Sequence, residues 1–359
     1  MYKKITLSDV AREAGVALGT ASRVLNNFTD VDPDTRKRVL HTVQRLRYKP
    51  LRTRRPVSAD GAGAKKVRNI GLILLGMDDS LVHVPVLTEI VHGVEAAVTE
   101  LNGNLLLANL PDATRVPAFL RDNQVDGLLV KISQYSELPN PDSHPLVRNL
   151  LRFPIVWLWG KPVGAPGDLC TFNHETAAHL AADHLRSKGH RRVAFLNPKK
   201  GKSSLEHIKK EFRFACESRE LEFSALESAS SRTATWPEPA VTDHSELLPL
   251  VQEWAKLPKS RRPSAIFVPA DNIAVHLYAA LEERGIEVAR DVSVISCNHE
   301  KPLVRSFNPP LTTMDVCASR IGAKSVAQLL TRLDNRMDNS VQTFLFEPTL
   351  VAGSSVAEL

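Results

Sequence analysis

Cysteine is scarce in this chain: Cys170, Cys216, Cys297 and Cys317 are the only four in 359 residues, and no C-x-x-C pair occurs. Such isolated thiols support neither a disulfide framework nor a zinc knuckle and fit the reducing conditions of a cytoplasm. Long apolar runs are missing as well. The longest, Ile70 to Met77, falls far short of the ~20 residues that a bilayer-spanning helix needs. The opening MYKKITLSDVAREAG has no apolar segment of the export-signal kind, which argues for a cytoplasmic protein and against a membrane partner. No G-x-S-x-G elbow, Walker loop or G-x-G-x-x-G fingerprint is found. Nothing after Phe344 repeats in heptads, so a coiled-coil tail is not expected. His174-Glu175 followed by His179 hints at a zinc helix, but residues five apart lie about 140° apart around a helix and cannot share a face. These absences argue against an enzyme, a metal centre and any cofactor.

What is present concentrates at the amino end. Residues 1–66 hold 15 Lys plus Arg against 6 Asp plus Glu, a net of +9; with +6 overall, residues 67–359 carry −3. A basic excess confined to one segment suits a phosphate backbone, because each neutralised phosphate releases condensed counterions. The same segment has helical periodicity. Thr6 and Asp9 have the spacing of a capping box, with a helix to follow from Leu7 through Val10, Ala11 and Ala14, ended by Gly15. A second helix is predicted from Leu18 to Asn26, with Ala21, Val24 and Leu25 inward. A third should open on Asp32 and Pro33, with Val39, Leu40, Val43 and Leu46 as its buried stripe. Two short helices joined at a glycine and closed by a third form a helix-turn-helix, although any small three-helix bundle shows similar periodicity.

At this point a family resemblance becomes specific. Asp9-Val10-Ala11, Ala14-Gly15-Val16, Ser22 to Asn26 (SRVLN), Thr35-Arg36 and Tyr48-Lys49-Pro50 fall at the spacing found in the DNA-binding headpiece of the lac repressor (LacI/GalR) family of bacterial transcription regulators. Lys188 to Phe195 (KGHRRVAF), Gly285 to Val294 (GIEVARDVSV), Pro310 to Thr313 (PLTT) and Ile321-Gly322-Ala323 extend the resemblance over nearly the full length. It implies a regulatory core resembling periplasmic sugar-binding proteins.

The core is also legible without the resemblance. A chain of 359 residues, 43% hydrophobic, is too long for one compact domain. Short apolar runs at 70–75, 105–107, 127–130, 155–158, 193–196, 265–268 and 292–295 read as buried parallel strands. Helical patterns lie between them at 86–101, 176–185 and 273–281. The expected fold is thus an all-α helix-turn-helix headpiece at 1–50, a linker or hinge at 51–66, and an α/β periplasmic-binding-protein-like core at 67–359 made of two doubly wound subdomains. The first should take about 67–168 plus 306–335, the second about 169–305 plus 336–359. Ligands in such sheets bind beyond the carboxyl ends of the strands, so the cleft between subdomains is the natural effector site.

The linker departs from the family pattern. The family's usual Asn, Ala and minor-groove Leu align with Leu51, Arg54 and Val57, and Pro56 falls inside the segment that is a short helix in relatives. Two readings stand: Arg52, Arg54 and Arg55 enter or flank the minor groove with Val57 as a weak wedge, or the segment is a disordered linker contacting phosphates. In the headpiece the resemblance implies that Arg23 reads guanine, that Leu18 meets a thymine methyl and that Gly19 permits close approach. Thr6, Thr20, Ser22, Asn26 and Tyr48 complete the surface implied to face DNA. One headpiece buries little surface, so specificity calls for a homodimer on a pseudo-palindromic operator of double-stranded DNA.

The candidate effector site comprises Val86, Asn173, Thr176, Ile208, Asp271 and Asn298 at positions the resemblance points to, with Trp236 added as an aromatic able to stack on a sugar. Three charged ligands common in the family are replaced: Ile208 stands where an Arg is usual, and Asn173 and Asn298 stand for Asp. Amides retain acceptors and add donors, so a neutral polyol such as a sugar still fits, while Ile208 forfeits a bidentate fork. Trp236 reads either as a stacking surface for a sugar or as a core residue, and Asp271 as a helix cap more readily than as a ligand. The combined expectation is a transcription regulator, with repression its expected mode and carbohydrate metabolism its expected field, whose DNA affinity a small polar effector controls. The alternative is a periplasmic-type solute receptor with no DNA function.

Overall fold

The computed structural model describes residues 6–25, 31–46, 67–77, 85–132, 137–228, 236–237, 244–335 and 340–359. Two compact units make up the chain, Met1–Lys66 and Val67–Leu359.

The first unit contains α1 (Leu7–Glu13), α2 (Leu18–Leu25) and α3 (Pro33–Arg45). Thr6 starts α1 as the sequence predicts. Its hydroxyl accepts from the Asp9 N–H at 3.3 Å, and the Asp9 carboxylate accepts from the Thr6 N–H at 2.9 Å, satisfying donors that a helix start leaves open. Gly15, at a φ of 66°, ends the helix in a conformation that a side chain would strain. Asp32 caps α3 by accepting from the Thr35 N–H at 2.9 Å, and Pro33 follows at the first position, where it has no N–H to lose. Val10, Ala11, Ala14, Ala21, Val24 and Val39 are the buried core. Leu40 is not part of it. Lying 100° around α3 from Val39, it is 42% exposed, and Thr42 takes the interior place with its hydroxyl donating to the Arg38 carbonyl at 2.9 Å.

The second unit holds two parallel sheets. The first runs in the order β2 (Asn104–Leu110), β1 (Asn69–Leu75), β3 (Gly127–Ile132), β4 (Ile155–Leu158), β5 (Asp168–Phe172) and β11 (Thr343–Phe346). The second runs β7 (Glu222–Glu227), β6 (Arg192–Asn197), β8 (Ala265–Phe267) and β9 (Ser293–Ile295). A small antiparallel pair, β10 (Thr313–Asp315) and β12 (Thr349–Val351), completes the set. The helices are α4 (Pro85–Glu100), α5 (Ala118–Arg121), α6 (Pro145–Leu150), α7 (His174–Ser187), α8 (Ser203–Glu217), α9 (Leu248–Lys256), α10 (Asp271–Glu282), α11 (Lys301–Val304) and α12 (Ala318–Asp334).

All seven apolar runs singled out in the sequence become strands. β5, β7, β10, β11 and β12 escaped that reading because they are short, carry polar residues, or alternate at a sheet edge. The subdomain boundaries shift with them: β5 and β11 belong to the first sheet, whereas the sequence reading gave them to the second subdomain. Asp168 explains the shift. Its buried carboxylate accepts two bonds from Arg332 of α12 at 2.6 Å, one from the Gln328 amide at 2.7 Å and one from the Gln342 N–H at 2.8 Å, tying β5, α12 and the start of β11 together. Burial pushes this carboxyl up, but Arg332, Gln328 and Gln342 together hold it below the usual range. α12 also packs tightly on α4. A methyl group on Gly322 would lie 2.2 Å from the Ile90 carbonyl oxygen, and one on Gly93 only 2.0 Å from that of Ser319, so only glycine lets these backbones meet.

Both sheets place their first strand between the next two, β2-β1-β3 and β7-β6-β8, so that the chain winds first to one side and then to the other. The carboxyl ends of β1 and β3, and of β6 and β8, are therefore topological switch points, where parallel sheets open a crevice.

Candidate functional site

On the first unit, α2 turns Ala21 and Val24 inward and leaves Leu18, Gly19 and Arg23 exposed, with Thr20 and Ser22 half-buried. Ala17, just before the helix, offers no side-chain acceptor to its first turn. Leu18 is 53% exposed at the start of the helix. Thr6 is also exposed, but its hydroxyl donates to the Asp9 carboxylate at 2.7 Å, so its work is to cap α1. Asn26, Tyr48, Arg52, Arg54, Arg55 and Val57, with the whole linker at 51–66, lie outside the described residues.

On the second unit, an open-mouthed cleft lies at the two switch points. Met77, Lys131 and Ile132 reach it from the ends of β1 and β3; Lys199 and Lys202 come from the turn between β6 and α8 and Ser204 from the first turn of α8, while Pro269 and Ala270 come from the turn between β8 and α10 and Asn272 from the first turn of α10. Of the residues expected from the sequence, Val86, Ile208 and Asn298 line the cleft.

Four others do not. Asn173 caps α7, accepting from the Thr176 N–H at 3.2 Å, while its amide donates to Glu347 at 3.0 Å. Thr176 bonds the same Glu347 carboxylate. Trp236 packs with the core cluster that contains Trp157 and Leu146, its ring edge-on to His144 at 5.0 Å, so the core reading holds over sugar stacking. Asp271 is fully buried. It is the first residue of α10 and not its cap; its carboxylate accepts from Ser296, from Thr313 at 2.7 Å and from the Glu300 N–H at 2.6 Å. It joins the second sheet to the crossover strand β10, away from the cleft wall. Burial pushes it up to about 6, although those three donors oppose the rise.

Sequence reasoning missed the cations. Lys131 lies at the end of β3 with its ammonium donating to the Ile132 carbonyl at 2.6 Å. Burial, aided by the charge of Lys202, brings it down to about 7. A lysine inside the apolar run GLLVKI, and the basic turn PKKGK between a strand and a helix, were the signals available. Trp159, Phe172 and His174 form an aromatic wall, with ring centroids 4.9 Å apart for the first pair and 4.0 Å for the second. His174 is buried and its Nε2 has no hydrogen-bond partner; burial first, and then His207, bring its imidazole down to about 3, so it is neutral. Trp159 and Asn298 hold left-handed φ values of 69° and 106°, backbone strain of the kind that gathers at ligand sites.

Beside the cleft, Glu300 accepts from the Val86 N–H at 3.3 Å through Oε1, and its buried Oε2 has no partner. Burial, reinforced by Asp271, pushes it up to about 8, so it is protonated at neutral pH.

Among the described residues no helix is long and apolar enough to cross a membrane. Residues 6–50 match the family described as "Bacterial regulatory proteins, lacI family", and residues 182–356 match "Periplasmic binding protein-like domain". The "HTH-type transcriptional repressor PurR" of Mannheimia succiniciproducens is 28% identical over 361 residues, covering 99% of each chain. The "Ribose operon repressor" of Haemophilus influenzae is 27% identical over 362 residues, again covering 99% of each. Among solved structures, a CelR regulator in complex with cellobiose matches with a TM-score of 0.66 at 22% identity over 98% of this chain and 99% of that one. The lac repressor dimer bound to operator and the anti-inducer ONPF matches with a TM-score of 0.60 at 22% identity over 99% of this chain and all of the other. With a capped helix-turn-helix ahead of two parallel sheets that open a cleft at their switch points, the chain belongs to the LacI family of DNA-binding transcription regulators, a family of repressors and not of enzymes.

Proposed function

We propose that this protein represses transcription as a homodimer on a pseudo-palindromic operator, with a small polar effector in the core cleft setting its DNA affinity. The observation that carries this is the exposed surface of α2, where Gly19 and Arg23 lie one turn apart on one face and Leu18 is exposed at the helix start, on a bundle whose α1 and α3 are capped and in the most basic part of the chain. Arg23 donates to guanine O6 and N7, Leu18 packs on a thymine methyl, and Gly19 admits the base edges. Arg52, Arg54 and Arg55 then serve the operator centre, with Val57 beside them. The headpiece takes residues 1–50, the linker 51–66 and the core 67–359, and the protein works in the cytoplasm with its DNA. A relative caught as an operator-bound dimer and another holding cellobiose support dimerisation and the cleft.

Control follows from the core. Two subdomains that open and close about the cleft place paired headpieces at different spacings, and an effector shifts the balance only by its preference for one state. Selection of binding sites from random duplexes tests the reading. Two half-sites related by a dyad should emerge, with Arg23→Ala losing its preference at one base pair per half-site, a change of about 1–3 kcal/mol. A selection that returns no symmetric site, or one indifferent to Arg23→Ala, would remove it.

A further inference from the structure

The described walls of the cleft are mostly apolar, and both lobes contribute. Leu87 and Ile90 of α4 and Trp159 after β4 stand on the side of the first sheet; Ile208 of α8 and Ile273 of α10 stand on the side of the second. About 150 Å³ is open to the centres of water-sized spheres, close to the volume of a Leu/Ile/Phe-lined cavity that stays dry and takes up one benzene molecule. The space suits a single ring.

Little of the polar lining is waiting for a ligand. The Lys131 ammonium donates to the Ile132 carbonyl at 2.6 Å, the Asn298 side chain bonds the Glu300 carboxyl, and Lys199, Lys202 and Trp159 each have an interaction partner. Among the described polar side chains of the lining that leaves Ser204, Asn272 and His174. His174 is 9% exposed, and its Nε2 is the one buried side-chain polar atom of the described lining with no hydrogen-bond partner. Burial first, and then His207, keep the imidazole neutral, so Nε2 offers a single hydrogen bond without charge. The same ring lies 4.0 Å from that of Phe172, which lies 4.9 Å from that of Trp159. A polyol enclosed here would bury several hydroxyls among few partners, and each one left unpaired weakens binding about five- to hundredfold. An aromatic ring has faces that need no partner and packs edge-on or offset against other rings.

Resting on the reading of this cleft as the effector site, we infer that the effector is an uncharged aromatic ring with one hydrogen-bonding group, a phenol or an N-heteroarene, and not a polyol. The ring lies among Trp159, Phe172, Ile90 and Ile208, and its polar group meets His174 Nε2. Ile208 is then in keeping with the ligand: the Arg usual at this position would grasp hydroxyls with a bidentate fork, whereas isoleucine completes an apolar wall. Because the walls belong to both lobes, closure buries the ring from two sides, and occupancy favours the closed core.

Matched probes isolate aromaticity from hydroxyl content. Full-length protein is titrated by calorimetry with phenol, pyridine, cyclohexanol, ribose and glucose, while operator affinity is read by fluorescence anisotropy on the same samples. Phenol or pyridine should bind about threefold or more tighter than cyclohexanol, which keeps the hydroxyl and loses the aromatic faces, and about tenfold or more tighter than either sugar, and should shift operator affinity. The two ring probes separate the sources: pyridine can only accept, so its binding marks Nε2 as a donor, whereas binding of phenol alone marks Nε2 as an acceptor. His174→Phe keeps a ring in place and removes the hydrogen bond, and should weaken the better probe about threefold to tenfold. Ile208→Asn, at a half-buried position, should weaken it in the same direction. No ring binding, rings binding no better than cyclohexanol, ring binding without effect on operator affinity, or ring binding unchanged in both variants would each overturn the proposal. A sugar that binds more tightly than the rings and changes operator affinity would overturn it while leaving the regulator reading intact, whereas loss of operator binding in every sample would strike the regulator reading itself.

Discussion

Raising the pH should loosen the core through one residue, Glu300. Its carboxyl is buried, bonded to the start of α4 through the Val86 N–H, and raised from 4.5 to about 8 by burial and by Asp271. A carboxyl whose folded value lies above its unfolded value stabilises the fold fully below 4.5 and loses that contribution as pH climbs through 8. One proton corresponds to a slope of at most about 1.4 kcal/mol per pH unit, hence on the order of 4 kcal/mol between pH 5 and pH 8. Glu300→Gln keeps the acceptor for Val86 and removes the titration. Thermal melts of the full chain at pH 5, 6, 7 and 8 should therefore show the variant gaining on the wild type as pH rises, by several degrees at the top of the range. Parallel profiles for the two proteins would show that Glu300 is already ionised in the fold and would refute the reasoning.

Further outcomes follow from the packing. Gly322→Ala places a methyl 2.2 Å from the Ile90 carbonyl and should cost about 3 kcal/mol or more, read as a lowered melting temperature. Arg332→Met leaves the Asp168 carboxylate buried without its cation and should cost about 3–5 kcal/mol in urea unfolding, with Asp168→Asn in the same background recovering part of the loss. Thr6→Ala removes the cap of α1 and should lower the stability of the headpiece by about 1 kcal/mol, measured as increased amide exchange in α1.

The headpiece was legible because its signals are local: Thr6 with Asp9, Gly15, and Asp32 with Pro33 each act within a few residues. Leu40 misled because a leucine beside a buried stripe need not be on it, and Thr42 could be buried only because the Arg38 carbonyl is one helical turn away. Sheet membership was less legible. Asp168 fixes β5 and β11 through partners more than 150 residues away in sequence, as with Arg332 and Gln342, and no window along the chain contains them. In the cleft, the residues expected by resemblance divide: Val86, Ile208 and Asn298 stand on its lining, whereas Asn173, whose polar side chain is occupied locally by Thr176 and Glu347, does not. The lysines were visible as residues but not as a group, since Lys131 and Lys202 meet only when two separate sheets face each other.

The central claim, that the amino-terminal unit reads DNA for a ligand-responsive core, is tested most directly by equilibrium binding of full-length protein to its selected duplex across a salt series. Log affinity should fall linearly with log salt, with a slope that reports several neutralised phosphates, and Arg23→Ala should reduce the preference over a scrambled duplex while retaining most of that slope. Absence of binding at the lowest ionic strength, or binding that ignores both salt and sequence, would contradict the account.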